Sequence, residues 1–290
     1  MKSLFAQASL SKKMIIAAMA TSTLVLTACG NQETTEKAEA TSETTAIKIG
    51  SDLTFPPYEY LDGDTPAGFD VELMNAIAKQ AGTKAEYVDT RFTNLMPGLD
   101  SEKYAAVISA LYVNAERLKK YDMIPYFTTD EVVLVKADSE YQPKGAMDLC
   151  GKTIATMKGA ILAEQLQDIS DNKCKAENKE AIEIREFPTS PEATQALLSG
   201  VVDAQYDDAA LGNAAVKKLE GKVKISSTES FYPIVGGIVV RKGDTATYEL
   251  LNNNLNALRE SGEYQKLLDS YGLTKATEED IADIKAESAQ

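Results

Sequence analysis

The chain has 290 residues, with 30 basic against 44 acidic side chains and a formal net charge of −14. Such acidity argues against binding nucleic acid or an anionic lipid surface, because both need a basic patch. Histidine is absent, which removes a common metal ligand and the commonest general base. No metal-ligand cluster or phosphate-cradling glycine loop takes its place, so no metal or cofactor is expected.

The N-terminus reads as an address. Lys2, Lys12 and Lys13 precede an apolar stretch from Met14 to Leu26. A bilayer span needs about 20 apolar residues, and this shorter run has the length of a signal-peptide core. Leu26-Thr27-Ala28-Cys29 follows and resembles the lipobox of bacterial lipoproteins. That resemblance implies a leader over residues 1–28 and a lipid on Cys29; the alternative is an ordinary signal peptide with a chance cysteine after its cleavage site. Residues 29–45 are rich in Thr, Glu, Ala and Ser and predict a flexible tether. With Cys29 lipidated, Cys150 and Cys174 remain as a pair, which suits a disulfide in an oxidising compartment. Two buried thiols are the other reading.

From Ile47 onward, short β-rich runs alternate with helical periodicity, the pattern of an α/β fold. Ile47 to Gly50 predicts a strand that runs into a loop. Asp70 is placed to cap a helix whose apolar positions Val71, Met74, Ile77, Ala78 and Ala81 share a face, ended by Gly82. A helix is expected from Asn94 to Ser101, then a buried strand from Ala105 to Ser109. Lys152 to Met157 predicts a strand, followed by a Lys158-Gly159-Ala160 turn and a helix through Leu166. Thr189-Ser190-Pro191-Glu192 is a helix start, with a capping hydroxyl, an early proline and a first-turn acid. Gly200 ends that helix, and Val201 to Tyr206 predicts a strand ending at Asp207-Asp208. Ligands of open α/β sheets bind outside the C-terminal strand ends, so two such lobes facing each other would form a cleft. The expected division is lobe one over 46–134, lobe two over 135–232 and the rest of lobe one over 233–275. Residues 276–290 form an acidic tail, a short helix or a frayed end. The apolar runs Glu131 to Lys136 and Tyr232 to Val240 are the expected hinge strands shared by both sheets.

A series of motifs then resembles one family. Gly50-Ser51-Asp52-Leu53-Thr54-Phe55-Pro56-Pro57-Tyr58-Glu59-Tyr60 and Gly68-Phe69-Asp70-Val71-Glu72-Leu73 are followed in order by Leu95 to Leu99, Ala106-Val107-Ile108-Ser109 and Ala115-Glu116-Arg117. Gly151 to Ala155, Val202-Asp203-Ala204 and Gly262 to Leu267 continue the series. Together they resemble the polar amino-acid-binding proteins of ABC transporters, family 3 of the bacterial solute-binding proteins. The resemblance implies a periplasmic-binding-protein-like fold, two α/β lobes joined by two hinge strands and closing on a free amino acid. It implies a monomer in the periplasm or at the cell surface that delivers its ligand to a membrane permease, touching the membrane only through its lipid. It also implies roles. Arg117 would grip the ligand carboxylate, a contact its planar fork suits. Asp208 would accept from the ligand ammonium, with Asp207 as the competing choice. Phe55 and Phe92 would sandwich the side chain, and Asp52 would read a cationic or amide end or simply cap a loop. Ser109 and the backbone of Ala110 would complete the polar ring, with Met157 and Ala160 on the second lobe.

Two departures bear on the ligand. Tyr112 stands where the family commonly has Ser or Thr, and Gly159-Ala160-Ile161 replaces a Gly-Thr-Thr turn. Each missing hydroxyl is worth about 0.5 to 1.5 kcal/mol of net hydrogen bonding, and the Tyr112 phenol could restore one bond or shrink the pocket. A dehydratase on the same fold would need a pocket carboxylic acid of raised pKa; Asp52 and Asp208 are the candidates by type. A sensor that presents its closed form to a receptor would have the same site as a transport protein.

Overall fold

The structure, a computed structural model, describes residues 46–232 and 234–276 together with Asp280, Ala282 and Ile284. The leader, Cys29, the tether and most of the acidic tail lie outside the described residues. In chain order, lobe one begins with β1 (Ile47–Ser51), β2 (Thr54–Phe55), β3 (Glu59–Asp62) and β4 (Thr65–Ala67). It continues with α1 (Phe69–Gln80), β5 (Ala85–Asp89), α2 (Leu95–Asp100), β6 (Ala106–Val107), α3 (Ala115–Lys120) and β7 (Tyr121–Thr129). The chain crosses at Asp130 into β8 (Glu131–Lys136), β9 (Thr153–Met157), α4 (Ile161–Asp168) and β10 (Glu183–Phe187). Lobe two is completed by α5 (Ser190–Leu198), β11 (Ala204–Asp208), α6 (Ala209–Lys218) and β12 (Val223–Ile225). The chain then returns through β13 (Ile234–Arg241), α7 (Thr245–Ser261) and α8 (Glu263–Tyr271).

Each lobe is built on a five-stranded sheet, in the order β5-β1-β6-β13-β7 for lobe one and β10-β9-β11-β8-β12 for lobe two. In both sheets the central strand pairs are parallel and the returning strands antiparallel. Parallel strands covered on both faces read as continuous apolar runs, which is why β9 and β11 are buried over most of their lengths. α1 covers lobe one with Phe69, Val71, Leu73, Met74, Ile77 and Ala78, the helical spacing of a core-facing stripe. β1 carries Gly50 because a Cβ there would meet the Tyr104 ring at 2.5 Å.

Three sequence expectations shift. Among the described residues β8 forms ladders with β11 and β12, and β13 forms ladders with β6 and β7 and one isolated bridge from Gly236 to Tyr112. The strands at the crossings therefore each belong to one sheet, and the first crossing falls at Asp130 rather than after residue 134. Asp70 does not cap α1: Gly68 holds the cap position at φ 109°, and the buried Asp70 side chain points into the lobe. The strand at 201–206 starts only at Ala204 and runs through Asp208. The capping box is present, Thr189 accepting from Glu192 N and Glu192 reaching back to Thr189 N. Cys150 and Cys174 form a disulfide with their Cα atoms 5.6 Å apart.

Candidate functional site

The site begins at the end of β1, where three loops of lobe one converge. Asp52 opens the first. Its buried carboxylate accepts Thr54 Oγ1 at 2.7 Å and the Phe92 backbone N–H at 2.7 Å, and it pairs with Arg91 at 2.7 Å. Burial raises its pKa, against the lowering pull of those three partners. The hairpin that follows places Phe55 and Tyr58 in a stack, centroids 5.8 Å apart and 12° between planes. Tyr58 in turn packs on Phe127 at 5.0 Å, so the hairpin rests on the aromatic core.

The segment after β6 is held by two buried acids. Ser109 Oγ donates to Glu59 at 2.8 Å and accepts the Asp52 backbone N–H at 3.0 Å. Ala110 sits at φ 43°, a region costly for a residue with a Cβ, and its N–H donates to Asp70 at 2.7 Å. Tyr126 donates to the same carboxylate at 2.9 Å. Burial lifts Asp70 to about 6, and burial plus the Asp70 charge hold Glu59 well above the carboxylate range. The Ser109 hydroxyl and the Ala110 N–H therefore face inward to these acids, while Ala110 also lines the cleft. Of the polar ring expected from these two residues, the Ser109 hydroxyl and the Ala110 N–H are engaged in holding this loop.

Tyr112 and Arg117 complete lobe one. Arg117 lies in the first turn of α3, where its N–H donates to the Asn114 side-chain cap at 2.7 Å. Its Nη1 donates to the Tyr112 carbonyl at 2.6 Å. No ion pair among the described residues includes Arg117, and burial lowers its pKa, with the charge of nearby Glu164 opposing. The Tyr112 side chain then runs toward lobe two, where its hydroxyl donates to Asp208 at 3.1 Å.

Asp208 is the last residue of β11 and the cap of α6, accepting from Ala210 N at 2.7 Å and Leu211 N at 3.3 Å. Tyr58 donates to it from lobe one at 2.9 Å. Two phenols of one lobe thus bond the acid of the other. Burial and the neighbouring Asp207 charge push Asp208 up to about 7, opposed by the phenols and the Ala210 N–H. Asp207 faces the other way, bonded to Gln205 at 2.7 Å and to Ser190. Of the acidic pair, Asp208 faces the cleft.

Phe55, Phe92, Ala110, Tyr112 and Arg117 of lobe one, with Met157, Ala160, Ile161 and Leu162 of lobe two, surround the cavity between the lobes. It is nearly shut, leaving about 10 Å³ for the centre of a water. Seven of the ten ligand-shell residues expected from sequence line it directly. Asp208 adjoins it through Tyr112, while Ser109 and Asp52 stand behind its wall. Sequence reasoning missed Tyr58, Glu59 and Leu162, while Ile161, read as part of the altered turn, lines the cavity. The available signal for Tyr58 was a phenol among apolar neighbours, since a buried tyrosine hydroxyl needs a partner.

The profile described as bacterial extracellular solute-binding proteins, family 3, matches residues 47–274. A probable histidine-binding protein of Neisseria gonorrhoeae is 33% identical over 264 residues, covering 90% of this chain and 95% of its own length. The ABC transporter arginine-binding protein 1 of Escherichia coli strain K12 is 30% identical over 230 residues, covering 78% of this chain and 90% of its own. An ancestral arginine-binding protein bound to arginine superposes with a TM-score of 0.71 at 30% identity, covering 78% of this chain and 97% of that one.

Proposed function

Because the chain belongs to the bacterial extracellular solute-binding proteins of family 3, we propose that it is an extracytoplasmic binding protein that closes two lobes on a free amino acid and delivers it to an ABC importer. The observation that carries this reading is the charge pair across the cleft. Arg117 offers a half-buried guanidinium without an acidic partner among the described ion pairs, and Asp208 offers a buried carboxylate from the other lobe. A zwitterion matches both ends. A ligand carboxylate against Arg117 would supply the acidic partner that its planar fork suits. Phe55 and Phe92 supply the apolar walls for the side chain, with Met157 and Ala160 closing from lobe two.

Binding is by hinge closure. The ligand docks on lobe one and Asp208 completes the shell, which shifts the population toward the closed form. The protein acts as a monomer held at the membrane through a lipid on Cys29, and it binds rather than transforms its ligand. The resemblance of its relatives to transport proteins favours delivery to a permease over presentation to a receptor.

The test is a thermal-shift screen of the purified protein, stripped of co-purified ligand by unfolding and refolding, against the common L- and D-amino acids. A true ligand at 100 times its Kd stabilises by about 2.7 kcal/mol. Arg117→Ala should weaken that ligand by about 3 to 5 kcal/mol, because its carboxylate would be buried unpaired. Near-normal affinity in this variant would remove Arg117 from the site.

A further inference from the structure

Asp52 stands directly behind Phe92, one wall of the cleft, and accepts the Phe92 N–H at 2.7 Å. An acid at this place could read a cationic ligand side chain if its charge were free. It is not free. One oxygen takes both the Thr54 hydroxyl and the Arg91 guanidinium at 2.7 Å, and the other takes the Phe92 N–H. The Asp52 side chain is 2% exposed and the Arg91 side chain 42%, so the countercharge comes from the protein's outer surface while Phe92 separates the acid from the cleft. Arg91 is itself fixed by Asp89 at 2.5 Å.

The rest of the cavity offers a cation nothing better. Its walls are the rings of Phe55, Phe92 and Tyr112, the last with its hydroxyl bonded to Asp208, and the side chains of Met157, Ile161 and Leu162, and the charged side chain that lines it is Arg117. Glu59, nearest on the Ser109 side, lies behind that wall, bonded to the Ser109 hydroxyl. Asp208 faces the ammonium end, and Glu164 lies exposed beside Arg117 at the mouth. A cationic side chain would leave water for an apolar space with no unpaired anion facing it, a transfer that is strongly unfavourable. A neutral apolar side chain gains about 25 cal/mol for each Å² it buries in the same space.

We infer that Arg91, by neutralising Asp52 from outside the cleft, sets this site for a free amino acid with an apolar side chain and against arginine, lysine and histidine. The inference rests on the amino-acid reading above and narrows it.

Titration calorimetry of the purified protein with leucine, isoleucine, valine, methionine and phenylalanine, and in parallel with arginine, lysine and histidine, separates the two. The expected result is that the tightest ligand comes from the first group and that the cations bind at least about tenfold more weakly. In Arg91→Gln the freed Asp52 should strengthen arginine or lysine binding by about tenfold, and the double variant Arg91→Gln/Asp52→Asn should lose that gain. A tightest ligand from the cationic group overturns this inference and leaves the amino-acid reading standing. Failure to bind any amino acid overturns both. The wild-type panel decides even if Arg91→Gln does not fold.

Discussion

Asp208 receives bonds from Tyr58, Tyr112 and two backbone N–H groups, and this crowding governs how it can meet an ammonium. Its pKa, about 7, is the result of burial and the Asp207 charge working against those donors. The two phenols stay protonated, since burial and the Asp208 charge hold both well above the usual tyrosine value. A ligand ammonium needs the carboxylate form, so affinity should rise as pH rises through about 7. Removing one donor stabilises the carboxylate less and moves Asp208 further up. Tyr112→Phe should therefore shift the midpoint of affinity against pH upward, by up to about one unit for a bond of roughly 0.5 to 1.5 kcal/mol. Calorimetric Kd values measured across that range give the midpoint directly. An unchanged or lowered midpoint would mean that the Tyr112 bond does not bear on Asp208.

At the scale of elements, α4 delivers Ile161 and Leu162 to the cleft, and its far end continues into a π-helical turn over Ile169–Cys174. The disulfide ties that turn to Cys150, just before β9. Cross-linking residues 24 apart contributes about 3 kcal/mol on the chain-entropy model. Cys150→Ser/Cys174→Ser should thus lower unfolding stability by roughly that amount in urea, while ligand affinity changes far less, because the cleft lies at the opposite end of α4. A comparable loss of affinity would show that the bridge positions the cleft wall. These elements were legible before the structure because their signals are local: the Thr189–Glu192 box, the apolar stripe of α1 and the Gly159 turn all lie within one or two helical turns. What was not legible depends on distant partners. Asp70 reads as a helix cap from its neighbours, yet it meets Ala110, 40 residues on, and Tyr58 meets Asp208 at a separation of 150. β7 carries Pro125, which interrupts a strand pattern, and is tolerated because β7 is the edge of its sheet. Opposite it, the register of β13 shifts between Gly236 and Gly237, where a Cβ on Gly236 would overlap the Phe127 ring.

For the whole molecule, buried acids set the response to pH. Burial raises Asp70 and Asp207 to about 6 and Asp208 and Glu131 to about 7. In the unfolded chain such groups titrate near 3.9 to 4.3, so between about pH 4 and 7 the folded state holds more protons than the unfolded one. Stability then falls as pH rises: the contribution of these groups is fully present below about 4 and is lost through 6 to 7. Exposed Asp171 and Glu183 are shifted the other way by Lys175 and Arg185, but solvent screens such pairs and their effect is confined to acid below about pH 4. The net charge of −14 adds self-repulsion of the same sign as the buried acids. The empty protein should therefore melt at a higher temperature near pH 5 than near pH 8. A bound ammonium offsets the loss by giving the Asp208 carboxylate a countercharge, so the gap between liganded and empty melting temperatures should widen from pH 5 to pH 8. Calorimetric scans of both forms at the two pH values test this. An empty protein more stable at pH 8, or a gap that narrows, would mean that these acids are hydrated or paired in solution.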